Sequence, residues 1–230
     1  MKSYRLKDSL KRTMTLIVSL PENSESSAKA IESAGAHSIK VHLNCVHRAS
    51  KTHFKTWTEE KEAISNIPNL LDIPVGIVPG AETTASMEEM RNIVDCGFDF
   101  LDIFSHHMPP EYLSISELTK STAIDFRFDL NKADMLEKLG VEIIESSIIP
   151  PQEYGQPLTV NDLVLYKTLI SSVKIPVFIP TQRKVKPEEI GYLREIGASG
   201  IAIGAVVTGN SLDGVLRMTE KFRKAIDKLG

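Results

Sequence analysis

The sequence predicts an α/β chain folded as one (β/α)8 barrel, and three observations predict it. Short apolar runs alternate with longer amphipathic stretches from end to end, the pattern of repeated βα units around a parallel sheet. Glycine recurs at one joint, in "ESAGAHS", "DCGFDF", "EKLGVEI" and "REIGASG". There it lies just past a helix and just before a strand, the usual place of a helix C-cap. Eight such units fit into 230 residues, close to the ~250 typical of the barrel. No linker divides them, so residues 1–230 read as a single domain. The alternative is an open doubly wound sheet, but no Gly-x-Gly-x-x-Gly follows the first strand, which argues against its dinucleotide-binding form.

The elements follow in order. Residues 1–12 carry Leu6 and Leu10 at helical spacing and are expected to form a short N-terminal helix capping the barrel floor. "MTLIVS" (14–19) is the first strand. The basic residues before it, Lys2, Arg5, Lys7, Lys11 and Arg12, resemble the start of a signal peptide. The apolar run is short, Pro21 ends it and no small-residue cleavage pattern follows, so a core strand is the better reading. Further strands are expected at 38–43, 74–79, 99–104, 122–126, 141–146, 176–180 and 200–204. Helices are expected near 24–34, 58–71, 86–96, 110–118, 131–139, 159–172, 187–196 and 211–229. Two connections are too long for simple joints, 44–57 and 146–158. In a barrel both leave the C-terminal ends of strands, where sites are built. Pro150, Pro151 and Pro157 stiffen the second, and Gly155 offers a hinge.

Composition excludes several classes. The formal net charge is -3, so no global basic field points to nucleic acid. No apolar run is long enough to cross a membrane. The two cysteines, Cys45 and Cys96, form neither a metal-type pair nor a disulfide framework. That usage suits a cytoplasmic location. Barrels commonly pair through loops or outer helices, so a homo-oligomer is the expected assembly.

Strand alternation picks out the candidate chemistry. Ser38, Lys40 and His42 share one face of the second strand, and the opposite face is apolar. The polar face is therefore expected to border the lumen. By the same parity Asp102 and His106 project from the fourth strand and Glu145 from the sixth, with Asp125 or Arg127 joining from the fifth. Lys40, His42, Asp102 and Glu145 thus converge at the end of the barrel where ionisable groups read as catalytic. Glu145 is the expected general base or acid. Lys40 is expected to stabilise an enolate or donate a proton, with a Schiff base ranked second. His42 and Asp102 would orient or share protons. The alternative is an ion pair from Lys40 to Glu145 or Asp102 that only fills the lumen. From Ser33 to Thr58 there is no acidic residue. Lys40, Arg48, Lys51, Lys55 and four histidines make that stretch attractive to an anionic small molecule.

The C-terminal quarter adds a resemblance. "IPVFIP" followed by "EEIGYLREIGASGIAIGAVVTG" resembles the last two units of the ribulose-phosphate-binding (β/α)8 barrels. The resemblance implies that Gly204, Ala205 and Val206 open a short helix whose amides hold a phosphate, as a helix N-terminus favours an anion. It further implies a phosphorylated, sugar-like substrate and an isomerase, epimerase or lyase. The chain departs from the pattern after the seventh strand, where "IPTQRKVKP" replaces a glycine-rich turn. Thr181, Gln182, Arg183 and Lys184 occupy that place, with Thr181 and Arg183 the candidates to complete the phosphate site. Arg183 or Lys184 would bind the anion by side chain, and the alternative is a phosphate site altered or lost.

No cofactor motif is present, and a divalent metal is the one alternative. His42, Asp102 and His106 would supply its ligands, although no H-x-H, H-E-x-x-H or C-x-x-C spacing occurs. Adjacent His106 and His107 cannot both face the lumen from an extended strand. A third reading is a barrel retained as a non-catalytic ligand-binding module, which the altered turn keeps open.

Overall fold

A computed structural model describes residues 5–230. Its first elements are helix α1 (Leu6–Arg12), strand β1 (Thr15–Ser19), α2 (Glu25–Ser33) and β2 (Ser38–His42). A small hairpin follows, β3 (Cys45–Val46) and β4 (His53–Phe54), then α3 (Trp57–Ile64), α4 (Ile67–Leu70) and β5 (Val75–Val78). The middle of the chain comprises α5 (Met87–Asp95), β6 (Phe100–Phe104), β7 (Thr119–Asp125), α6 (Ala133–Lys138) and β8 (Ile143–Ser147). It ends with α7 (Val160–Ser172), β9 (Val177–Pro180), α8 (Ile190–Glu195), β10 (Gly200–Ile203), α9 (Ala205–Thr208) and α10 (Leu212–Asp227). Eight strands close as a parallel barrel in the order β1-β10-β9-β8-β7-β6-β5-β2, while β3 and β4 pair apart from it. Among the described residues no helix is long and apolar enough to cross a membrane.

Strand alternation divides the core in two. One face of each strand packs Leu16, Val18, Ile39, Val41 and Ile77 against the outer helices, where all are fully buried. The other face builds the lumen, and its lower layer is a separate apolar cluster. Ile17, Phe100, Ile143, Phe178 and Ala202 meet Leu6 and Leu10 of α1 there. The floor helix is tied down by Asp99, whose carboxylate accepts from the Leu6 amide and from Arg5 Nε, both at 2.9 Å. Lys7 adds a 2.7 Å ion pair to Glu142. Gly76 is required by close approach, because a Cβ there would lie 2.1 Å from the Phe100 ring. The glycine leaves the volume that the phenylalanine fills.

Several expected elements differ in detail. Residues 110–118 form only a 3-10 turn over Pro110–Ser114, since consecutive prolines at 109 and 110 favour a short turn over a full helix. The fifth barrel strand starts at Thr119, earlier than its apolar run, because Lys120 pairs with Glu142 at 3.3 Å and the polar start still joins the ladder. The stretch 58–71 breaks into α3 and α4 around Ser65 and Asn66. The hairpin β3–β4 was hidden inside a connection that read as loop. Asn44 starts it with φ of 50°, a conformation asparagine tolerates, and its Nδ2 donates to the Pro79 carbonyl at 3.2 Å.

Candidate active site

The upper lumen is ionised. Lys40 Nζ donates to Asp102 Oδ2 at 2.7 Å and also bonds Glu145 Oε2, and all three side chains are buried. The remaining carboxylate oxygens are held by hydroxyls. Ser121 Oγ donates to Asp102 Oδ1 at 2.9 Å, and Ser147 Oγ donates to Glu145 Oε1 at 2.7 Å. Ladder register accounts for the convergence. Lys40 stands beside Ser19 and Gly76, Asp102 beside Ser121, and Glu145 beside Ala123 and Phe178. Small neighbours leave room for the long side chains to meet above the Phe178 ring, whose centroid lies 5.3 Å from the ammonium.

Burial shapes the protonation of this triad. Desolvation alone would lower the Lys40 pKa, but Asp102 and Glu145 outweigh it and hold the ammonium above its ordinary value. An amine so paired is a poor nucleophile, which counts against a Schiff base. Desolvation raises Asp102, Lys40 opposes that, and the Glu145 charge adds to it. Desolvation also acts to raise Glu145, yet Lys40 and the hydrogen bonds bring it below the usual carboxylate range. Two carboxyls on one ammonium are thereby pushed apart, with Glu145 the more acidic of the two.

His42 is buried beside them and stacks on Phe54 of the hairpin at 4.8 Å between ring centroids, with His47 edge-on at 5.3 Å. Burial, and then the fields of His47 and Lys40, keep it neutral. Among the described residues its buried Nδ1 has no hydrogen-bond partner. Asn23 fixes the backbone behind it, donating from Nδ2 to the His42 carbonyl at 2.8 Å.

These groups line one cavity of about 500 Å³ at the C-terminal end of the barrel, within the range of small-molecule sites. Thr181, Gly204, Ala205 and Val206 form another part of its wall. Of the residues singled out for phosphate, two behave otherwise than expected. The Gly204 amide donates to Thr181 Oγ1 at 3.1 Å and is not free for an anion. Ala205 and Val206 carry the first amides of α9, which find no acceptor among the described residues. Gly204 is not required by packing, since a Cβ there would meet only Ser19 Cβ at 3.9 Å. Arg183 lies outside the cavity wall, buried against Asp162 at 2.8 Å and bonded to Glu153. Its guanidinium is already neutralised by two carboxylates, so it does not await an anion.

The metal alternative does not assemble. Asp102 is engaged by Lys40 and Ser121, and His106 lies 4.0 Å from Asp125. Among the described residues no three His, Cys, Asp or Glu side chains are gathered as a ligand set. His106 and His107 nevertheless both line the cavity, because β6 ends at Phe104 and the chain turns there rather than continuing extended.

Several residues that serve the site were not singled out in the sequence. Ser147 follows Glu145 by two on β8 and Ser121 stands beside Asp102 on β7, so parity alone could have found them. Tyr154 and Gln182 could not be found that way. Gln182 clasps the connection after β8, accepting from the Ile149 amide at 3.0 Å and donating to the Ser147 carbonyl at 3.1 Å. Gly155 N then donates to the Gln182 carbonyl at 2.9 Å.

The fold and this ionised mouth define a (β/α)8 barrel whose polar site sits at the C-terminal ends of its strands. Solved structures carry the comparison further. The chain superposes on thiamine phosphate pyrophosphorylase from Pyrococcus furiosus with a TM-score of 0.65 at 16% identity, covering 97% of this chain and 98% of that one. On tryptophan synthase from Mycobacterium tuberculosis the TM-score is 0.72 at 12% identity, over 98% and 99%. On the N-acetylmannosamine-6-phosphate 2-epimerase from Clostridium perfringens it is 0.61 at 16%, over 90% and 92%. These likenesses show the fold, a closed (β/α)8 barrel. A Caldanaerobacter subterraneus protein, named provisionally as an N-acetylmannosamine-6-phosphate 2-epimerase, is 28% identical over 134 residues. That match spans 54% of this chain and 56% of the relative, about half of each. No family model matches the chain.

Proposed function

We propose that the chain is an isomerase or epimerase of a small phosphorylated, sugar-like molecule. The observation that carries this reading is the Lys40–Asp102–Glu145 triad, set in the same cavity as the two free amides at Ala205 and Val206. The names of the partial relative and of the epimerase neighbour favour the same substrate class.

In this reading the phosphate rests on the amides of Ala205 and Val206, with the Thr181 hydroxyl as a further donor. The room left by the missing side chain of Gly204 lets it approach. The sugar carbonyl then lies at Lys40. Glu145, ionised, takes the proton from the carbon beside that carbonyl, and the electron pair of the broken C–H bond moves to the carbonyl oxygen. The Lys40 ammonium stabilises the enolate so formed. Return of a proton to the other face, or to the neighbouring carbon, completes an epimerisation or an isomerisation. Neutral His42 walls the cavity beside the triad, and Asp102 holds Lys40 in place.

The test is solvent exchange. Phosphorylated sugars, N-acetylmannosamine 6-phosphate among them, are incubated in deuterated buffer and followed by proton NMR. Deuterium is expected at the carbon beside the carbonyl. Glu145→Gln should slow its entry by about 10³-fold, within the range of general base catalysis, while the sugar still binds. Exchange at an unchanged rate in that variant overturns the role of Glu145. Absence of exchange in every phosphosugar that binds overturns the activity.

A further inference from the structure

The cavity has a second cationic end. Round the barrel ring β6 is four strands from β10 in either direction, so the two stand opposite one another. The turn after β10 carries the free amides of Ala205 and Val206. The turn after β6 carries His106 and His107, whose rings lie 4.3 Å apart and both line the cavity. Arg48, from the hairpin β3–β4, lines the same cavity. Among the described residues the Arg48 guanidinium has no ion pair or hydrogen bond. Its charge is felt at His106. Arg127, nearby at 3.5 Å from His106 Nε2, is by contrast spent on Asp125. Glu82 also lines the cavity, but it is exposed and its field falls on Cys45 rather than on the histidines.

Asn210, which follows α9, donates from Nδ2 to the Ser50 carbonyl at 3.0 Å and ties the hairpin to the far side of the barrel. Thr52 Oγ1 adds a bond to the Pro21 carbonyl at 3.3 Å. The arm that carries Arg48 is therefore anchored twice just beyond it. An unpaired guanidinium and two imidazoles in one cavity wall match an oxyanion by charge and by hydrogen-bond direction.

We infer that Arg48, His106 and His107 form a second oxyanion subsite, so that the substrate carries an anionic group at the end opposite its phosphate. This rests on the phosphosugar reading above and narrows it. The class is a sugar derivative with two anionic ends, the far one a carboxylate or a second phosphate. The Lys40–Asp102–Glu145 triad then lies between the two anchors, where the carbonyl of such a molecule would be stretched across it.

Titration calorimetry with three inert probes tests this. D-Glucitol 6-phosphate has one anionic end, 6-phospho-D-gluconate adds a carboxylate, and D-glucitol 1,6-bisphosphate adds a second phosphate. At least one two-ended probe should bind about ten-fold more tightly than the first, and the better of them identifies the far group. Arg48→Met should abolish that advantage and Arg48→Lys should restore part of it. Equal affinity of all three probes overturns the second subsite and leaves the phosphate reading standing. Equal weakening of all three by Arg48→Met overturns it as well. Failure of every probe to bind overturns both readings together.

Discussion

The lower and upper halves of the lumen are built from the same strands, yet they contain opposite chemistry. Below, Ile17, Phe100, Ile143 and Phe178 close on Leu6 and Leu10 without a polar atom among their side chains. Two residues further along the same faces stand Ser19, Asp102, Glu145 and Pro180, joined by Lys40. Alternation thus fixes which residues point inward, while height along the strand decides what they do. The lower layer gains from burial of apolar surface. The upper layer bears the cost of burying an ammonium and two carboxyl groups, which close contact and the hydroxyls of Ser121 and Ser147 offset.

The largest effect should come from unbalancing the upper layer. Lys40→Met leaves the Glu145 carboxylate buried beside Asp102 without its counter-charge, at an expected cost of about 3–5 kcal/mol, measured as a shift of the urea midpoint. Glu145→Gln leaves the ammonium facing Asp102 and should cost distinctly less. If the two variants lose equal stability, the triad is not a charge-balanced unit. Next in size is the floor. Leu10→Ala opens a void beside Phe178 and Ala202 and should cost about 2–4 kcal/mol, while ligand affinity at the mouth stays at its normal value. A parallel loss of affinity would show that the two halves are coupled.

The smallest effect separates the halves by pH. Burial lowers His47 from 6.5 to about 4, with Lys40 adding to it, and lowers His42 in the same direction. The unfolded chain takes up these protons as pH falls below about 6.5, and the folded chain does so only further down. The stability gained is therefore present above that value and is lost as pH falls towards 4. Between pH 7 and 5 the His47 share should be about 1–2 kcal/mol. Melting curves across this range should flatten in His47→Asn and keep their slope in Leu10→Ala. An unchanged slope in His47→Asn would place the acid sensitivity elsewhere.

The same contrast explains how much was legible in the sequence. Lys40, His42, Asp102 and Glu145 could be found because a period of two along a strand needs only the strand. Their meeting also needed only the barrel. Arg183 looked like an anion binder because nothing in "IPTQRKVKP" reveals that Glu153 and Asp162 lie against it, 30 and 21 residues upstream. Gly204 matched the pattern, but whether its amide was free depended on Thr181, a neighbour only across β9 and β10. The hairpin was missed because two-residue strands show no periodicity. Local repeats reveal direction, whereas occupancy of a hydrogen-bonding group is settled by residues distant in the chain.

The plug of Leu6, Leu10 and Phe100 has a consequence for traffic. Among the described residues the floor is filled, and a ligand that enters beside Val206 and His107 leaves by the mouth through which it came. Two ligands then take turns in one space, and each excludes the other by occupancy alone.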